Sequence, residues 1–144
     1  MSAPRSLAPV FCQRIPSRID EVESLSIGLR DFLIKNNLGH ISFPVELLCR
    51  ECLMNALTHG NENNAEKSID FRLHVGRLWI RLEVGDEGPG FNWRKMRQRE
   101  LDTDATSGRG LPLYALYAAR VRFNRSGNQI TLWMSKKSQT GKGN

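Results

Sequence analysis

Glu51-Cys-Leu-Met-Asn55-Ala-Leu-Thr-His59-Gly60 is the stretch on which the reading of this chain turns. It sits in an apolar run containing Leu47, Leu48, Cys52, Leu53, Met54, Ala56 and Leu57. That pattern predicts a helix from about Pro44 to His59, capped by Ser42 and stopped at Gly60. Glu51 and Asn55 interrupt the run at four-residue spacing and so share one helix face, with Thr58 and His59 a turn further on. Ionised carboxylates are rarely buried without a partner. The face is therefore either simply solvated or the wall of a site.

Working outward, Val10 to Ile15 reads as a short strand and Pro16-Ser17 as a turn and helix cap. Arg18 to Asn36 follows as an amphipathic helix, with Ile19, Val22, Leu25, Ile27, Leu29, Phe32 and Leu33 at helical spacing, ending near Asn37 to Gly39. On the other side, Asn61 to Lys67 is a polar loop. Ser68 to Val75 and Leu78 to Gly85 alternate apolar and polar around Gly76-Arg77, the pattern of a β-hairpin, and the second strand delivers Asp86 to its end. Asn92 to Arg99 reads as a short charged helix and Glu100 to Arg109 as a mobile loop. Leu111 to Ala119 resumes a helix with Pro112 in its first turn, and Val121 to Asn124 with Gln129 to Met134 closes the fold as a second hairpin around Ser126-Gly127-Asn128. The expected architecture is α+β, a two-layer sandwich in which a mixed, mostly antiparallel sheet is covered on one face by helices. One domain over 8–137 is expected, with a disordered tail over 138–144.

Composition bounds the function. With 144 residues, 40% hydrophobic and 25% charged, the chain can build one core but not two ordinary domains. Its apolar stretches fall well short of the roughly 20 residues that span a bilayer. Met1 to Pro9 lacks the apolar core of a secretory signal, so a cytoplasmic location is expected and no membrane partner. Cys12, Cys49 and Cys52 are an odd set that suits a reduced compartment. Cys49 and Cys52 form a CxxC, but no second Cys pair or His pair completes a tetrahedral metal site, and two small residues packed on a helix is the better reading. The formal charge of +6 suits nucleic acid or an acidic protein. Lys and Arg are scattered apart from Arg94 to Arg99 and Lys136-Lys137, with no aromatic-rich basic motif. A solvated basic surface is the plain reading, an acidic protein partner the next, and direct nucleic-acid binding is not expected.

Two further stretches stand out. Asp86-Glu-Gly-Pro-Gly-Phe91 ends an apolar strand. Gly88 and Gly90 leave room for a ligand or a backbone, and Asp86 can accept a hydrogen bond from an exocyclic amine. Taken alone, it is equally a tight turn. Ser107-Gly-Arg-Gly-Leu111-Pro-Leu113 opens a helix, whose free N–H groups and positive dipole end suit a phosphate. In isolation it is equally a flexible helix entry.

In this order, a Glu/Asn helix, an Asp-x-Gly-x-Gly strand end and a Gly-x-Gly helix start resemble the three boxes of the GHKL ATP-binding (Bergerat) fold, from about Val10 to Met134. Within that superfamily the chain most resembles the stand-alone anti-sigma-factor serine kinases, the RsbW-like group. The resemblance implies ATP and Mg²⁺ as cofactors, with Asn55 holding the metal and Glu51 acting as general base. It implies that Asp86 reads the adenine amino group and that Gly88 and Gly90 shape the adenine pocket. Gly108, Arg109 and Gly110 would then cradle phosphate at the end of a short lid spanning roughly Asn92 to Ser107, with His59, Thr106, Ser107 and Leu111 also in the nucleotide site and Arg109 also stabilising charge on the transferring group.

The activity so implied is phosphorylation of a Ser or Thr on a STAS-domain antagonist, together with binding of a sigma factor or analogous regulator, in a partner-switching system. The family's habit of dimerisation implies a homodimer, for which the first helix and early strand are the expected surface, with Arg14 and Arg18 facing a partner. The alternative is a nucleotide-responsive binding module that sequesters a regulator with little or no kinase activity. A histidine-kinase ATP domain detached from its phosphoacceptor is a poorer fit, because no dimerisation helices carrying an acceptor His accompany His40, His59 and His74.

Overall fold

The computed structural model describes residues 9–90 and 117–137. Along these, the chain runs β1 (Val10–Pro16), α1 (Ile19–Lys35), a single 3₁₀ turn (Gly39–Ile41), α2 (Ser42–Asn55), a π-helical turn (Ala56–Gly60), β2 (Ser68–Val75), β3 (Trp79–Asp86), β4 (Arg120–Phe123) and β5 (Gln129–Ser135). The expected short helix over Asn92 to Arg99, the loop over Glu100 to Arg109, the tail over 138–144 and the helix from Leu111 lie outside the described residues, apart from the last few positions of that helix.

Period-two patterning decides which face of the sheet is buried. Ile69, Phe71, Leu73 and Val75 of β2, Ile80, Leu82 and Val84 of β3, and Ile130, Leu132 and Met134 of β5 all point inward. The strands form one sheet in the order β1-β2-β3-β5-β4, and each pairing among the described residues is antiparallel. Against its inner face lie Val22, Leu25, Leu29 and Leu33 of α1 and Val45, Leu48, Cys49, Cys52 and Leu53 of α2. Each large apolar side chain buried this way contributes about 2 kcal/mol. The result is the α+β two-layer sandwich that the sequence pattern predicts, with helices on the inner face.

The ends of the elements differ from the expected caps. Ser17 does not cap α1. Its Oγ donates to the Lys67 carbonyl at 2.8 Å, and Arg18 takes the cap position with no side-chain bond. Ser42 lies inside α2, after Ile41. At Ser17 a distant backbone carbonyl takes the hydroxyl that the local cap would use. The C-terminus of α1 does follow the rules. Asn37 adopts φ 61°, the Leu38 amide donates to Leu33 and the Asn37 amide to Ile34. That is a Schellman turn built on Asn, with Leu33 and Leu38 both buried beneath it.

The polar loop after the π turn conceals a structural centre. Asn61 is fully buried. Its Nδ2 donates to Ser17 Oγ at 2.7 Å and to the Ser68 carbonyl at 2.9 Å, while its Oδ1 accepts the Glu87 amide at 2.8 Å. One amide side chain thus joins the β1–α1 corner, the start of β2 and the end of β3. At the far end of the sheet, Lys136 is tied down: its amide donates to the Leu78 carbonyl, its Nζ to the Gly76 carbonyl, and its own carbonyl contacts His40 Nε2.

Candidate functional site

α2 does not end cleanly. Ala56–Gly60 forms a π turn, in which the Asn61 amide reaches back to the Ala56 carbonyl at 2.7 Å and Thr58 Oγ1 donates to Met54. The wider turn brings Gly60 against the end of β3. There a Cβ on Gly60 would lie 2.2 Å from Asp86 Oδ2, and a Cβ on Gly88 would lie 2.0 Å from the Gly60 carbonyl oxygen. At Gly88 the obstacle is backbone, so only a bare chain fits, whereas at Gly60 a Cβ would have to displace the Asp86 carboxylate. Gly90 has φ 85°, and a Cβ there would lie 1.8 Å from the Ser126 carbonyl oxygen in the β4–β5 turn.

Asp86 stands where these segments meet. Its amide donates to the Asn128 carbonyl at 2.9 Å, and its Oδ1 accepts the Gly88 amide at 2.8 Å. Burial pushes the carboxyl above its ordinary 3.8, opposed by the Gly88 hydrogen bond and by the charge of Lys67. The turn that faces it is organised by Asn124, whose Oδ1 accepts the amides of Gly127, Asn128 and Gln129 at 2.8, 3.0 and 3.1 Å. From that turn Asn128 Nδ2 reaches the Gly88 carbonyl at 3.3 Å.

Between α2 and the inner face of the sheet these elements enclose a cavity of about 270 Å³. Asn55, His59, Asp86 and Gly90, four of the candidates named from the sequence, line it. Gly88 is buried behind Asp86 and is not part of the lining. Glu51 is half-buried one helical turn before Asn55 and also lies outside the lining. Thr106, Ser107, Gly108, Arg109, Gly110 and Leu111 fall outside the described residues. The sequence reading missed the opposite wall, made by Phe123, Gly127, Asn128, Gln129 and Ile130, and the apolar floor of Cys52, Ala56 and Val84. The signal for that wall was the run Asn124-Arg-Ser-Gly-Asn128, read only as a turn.

The lining suits the nucleoside end of a nucleotide. Apolar walls flank a carboxylate that needs a donor, as a planar heterocycle with an exocyclic amine provides. No group of three or more His, Cys, Asp or Glu side chains that could hold a metal exists among the described residues. Among the described cavity residues Asn55 could offer a Mg²⁺ ion a side-chain oxygen, with phosphate oxygens and waters completing its shell. Cys49 and Cys52 are both buried and outside any disulfide, and burial holds the Cys49 thiol well above its usual range, so Cys49 is not a ready thiolate. No described helix is long and apolar enough to cross a membrane.

Comparison with known proteins agrees with this geometry. A comparison with curated proteins finds no match. Among solved structures, the chain resembles the histidine kinase domain of the blue-light activated histidine kinase EL346 from Erythrobacter litoralis, with a TM-score of 0.51 and 17% identity. The likeness covers 90% of this chain and 64% of that one, so the chain spans just under two thirds of the structure it matches, and at that identity the likeness bears on fold alone. The model of the histidine kinase-like ATPase domain matches residues 17–136, which take in both walls of the cavity. The chain belongs to the histidine kinase-like ATPase domain family.

Proposed function

We propose that this protein is an ATP-dependent serine/threonine kinase of the RsbW-like kind, which phosphorylates a STAS-domain antagonist and sequesters a sigma factor or analogous regulator in the cytoplasm. The observation that carries the nucleotide half of the proposal is Asp86. Its carboxylate is held by the Gly88 amide at one oxygen and lines the same cavity as Asn55 and His59. In this reading Asp86 accepts the adenine amine and Asn55 contributes its side-chain oxygen to Mg²⁺. The metal neutralises triphosphate charge when bound.

Glu51 accepts the proton of the attacking Ser or Thr hydroxyl. The bond from the γ-phosphorus to the bridging oxygen breaks as the bond to the hydroxyl oxygen forms, leaving ADP and a phosphoester. Gly108, Arg109 and Gly110 are assigned to the phosphates, and Thr106, Ser107 and Leu111 to the nucleotide site, by the family resemblance. Phosphate placed at the substrate's interface adds charge and desolvation cost, which releases that partner. A homodimer through α1 and β1 belongs to the same proposal, supported by the exposed Ile19, Ile27, Ile34 and Val10. Arg14 and Arg18 already have partners within the chain: Arg14 pairs with Asp70 and Glu87, and Arg18 with Asp20.

One observation favours the second reading, a nucleotide-responsive binding module with little or no transfer: Glu51 lies outside the cavity lining. Incubation with Mg-ATP and a STAS-domain protein, read by intact mass, separates the two. Stoichiometric, acid-stable phosphate on the STAS protein that disappears in Glu51→Ala supports the kinase. ATP binding without transfer supports the module, and acid-labile phosphate points to a histidine acceptor.

A further inference from the structure

The outer face of the sheet collects residues that lie far apart in sequence. Strand register places Arg120, Trp133, Arg81 and His74 side by side across β4, β5, β3 and β2. The next row is Arg122, Thr131, Glu83 and Arg72. At strand spacing each row extends about 14 Å. Arg14 and Asp70 lie beyond them, and Trp79 with Leu78 forms an apolar corner, 47% and 62% exposed. No described helix packs on this face, and its strand residues include five arginines, two carboxylates and no lysine.

We infer that this outer sheet face docks an acidic protein segment, with Arg120, Arg122 and Arg72 receiving carboxylates and Trp79 anchoring an apolar side chain. Charge complementarity identifies the chemistry. Among the described residues Arg72 and Arg122 have no carboxylate partner, whereas Arg81 and Arg14 do. Arg120 rests over the Trp133 ring at 5.1 Å, so its guanidinium is oriented and partly desolvated before any partner arrives, which suits forked recognition of a carboxylate.

Three features favour a protein over a nucleic acid. Arginine and tryptophan without lysine is the make-up of protein interface hot spots. The Trp133 ring is already covered by Arg120, which removes it as a base-stacking platform. Glu83 and Asp70 interrupt any continuous track for phosphates. The sequence hides this surface because its members alternate with core residues on four strands.

The face lies on the side of the sheet opposite the nucleotide cavity, so this proposal stands or falls apart from the kinase reading. The test titrates the whole chain with a fluorescein-labelled peptide of Glu and Asp around a leucine pair, followed by anisotropy at moderate salt. Arg120→Glu with Arg122→Glu is expected to weaken binding about tenfold or more, Arg72→Glu alone by a smaller factor, and Trp79→Ala likewise. All of these variants should keep ATP binding and the wild-type circular dichroism melt. The indole N–H signals of Trp79 and Trp133 should shift with peptide. Three results overturn the proposal: no peptide binding, or binding that the variants leave unchanged; single-stranded DNA binding as tightly and failing in the same variants, which assigns the face to nucleic acid; and self-association in sedimentation that the same substitutions abolish, which assigns it to a second copy.

Discussion

Two glycines and a carboxylate make the contact that joins the π turn to the end of β3, and their substitutions should part stability from binding. A Cβ at position 60 meets the Asp86 carboxylate, the movable end of a side chain, whereas a Cβ at position 88 meets the Gly60 carbonyl, which is backbone. Gly60→Ala is therefore expected to fold with nearly unchanged stability and to lose nucleotide affinity as Asp86 swings away. Gly88→Ala should lose both, destabilised by about 2 kcal/mol or more, the scale of overpacking. Urea unfolding and fluorescent-ATP titration on the pair check this.

Asp86 itself works against the fold at neutral pH. Its folded-state pKa is raised, so the ionised form is disfavoured by folding, and that penalty is absent in acid and grows as pH rises through the raised value. Asp86→Asn should consequently melt higher than the wild type at pH 7, with the gain vanishing as pH falls and the wild-type carboxyl takes up its proton. The same variant should lose ATP. With Oδ1 held by the Gly88 amide, asparagine presents Nδ2 to the adenine amine, donor against donor. A variant that is more stable yet inactive would show stability given up for recognition.

At the scale of elements, the β4–β5 turn forms one wall of the cavity, and Asn124 closes it through three backbone amides. Asn124→Ala is expected to cost about 1–2 kcal/mol. Nucleotide affinity should fall several-fold, because Gly127, Asn128 and Gln129 lose their common anchor. Glutamine at 124, one methylene too long, should not restore it, and isothermal titration across the three proteins measures the effect. That turn also shows where reading the sequence stops. Helix and strand positions were legible because the 3.6 and 2.0 periodicities of Val22, Leu25, Leu29 and of Ile69, Phe71, Leu73 record local geometry. Asn55, His59 and Asp86 were legible because a polar group at an apolar position is conspicuous. Asn61 and Asn128 were not, because an asparagine among polar neighbours looks the same whether it faces water or satisfies buried amides across the fold. The π turn was hidden as well. Its extra residue follows from the close contact of Gly60 with Asp86, a long-range fact without a local periodicity.

At the scale of the whole molecule, the cavity lies between the helical layer and the sheet, so a nucleotide there would bind both layers at once and only in the folded state. Linkage then turns binding into stability. At a hundredfold excess over its Kd, ATP should add about 2.7 kcal/mol. For a chain of this size that corresponds to a rise in Tm of roughly 5–10 °C. A panel of melts divides the roles. Glu51→Ala should keep the whole shift if the residue has the proposed role, because a general base contributes to transfer and little to ground-state binding. Asn55→Ala should keep a reduced shift that no longer responds to adding Mg²⁺. Asp86→Asn should start from a higher Tm and gain nothing from ATP. GTP should shift none of them, because guanine presents a carbonyl where adenine presents its amine, and that oxygen would face the Asp86 carboxylate. A wild-type melt indifferent to Mg-ATP would mean that the fold persists here without its nucleotide. Equal shifts with ATP and GTP would remove Asp86 from base recognition while leaving phosphate binding in place.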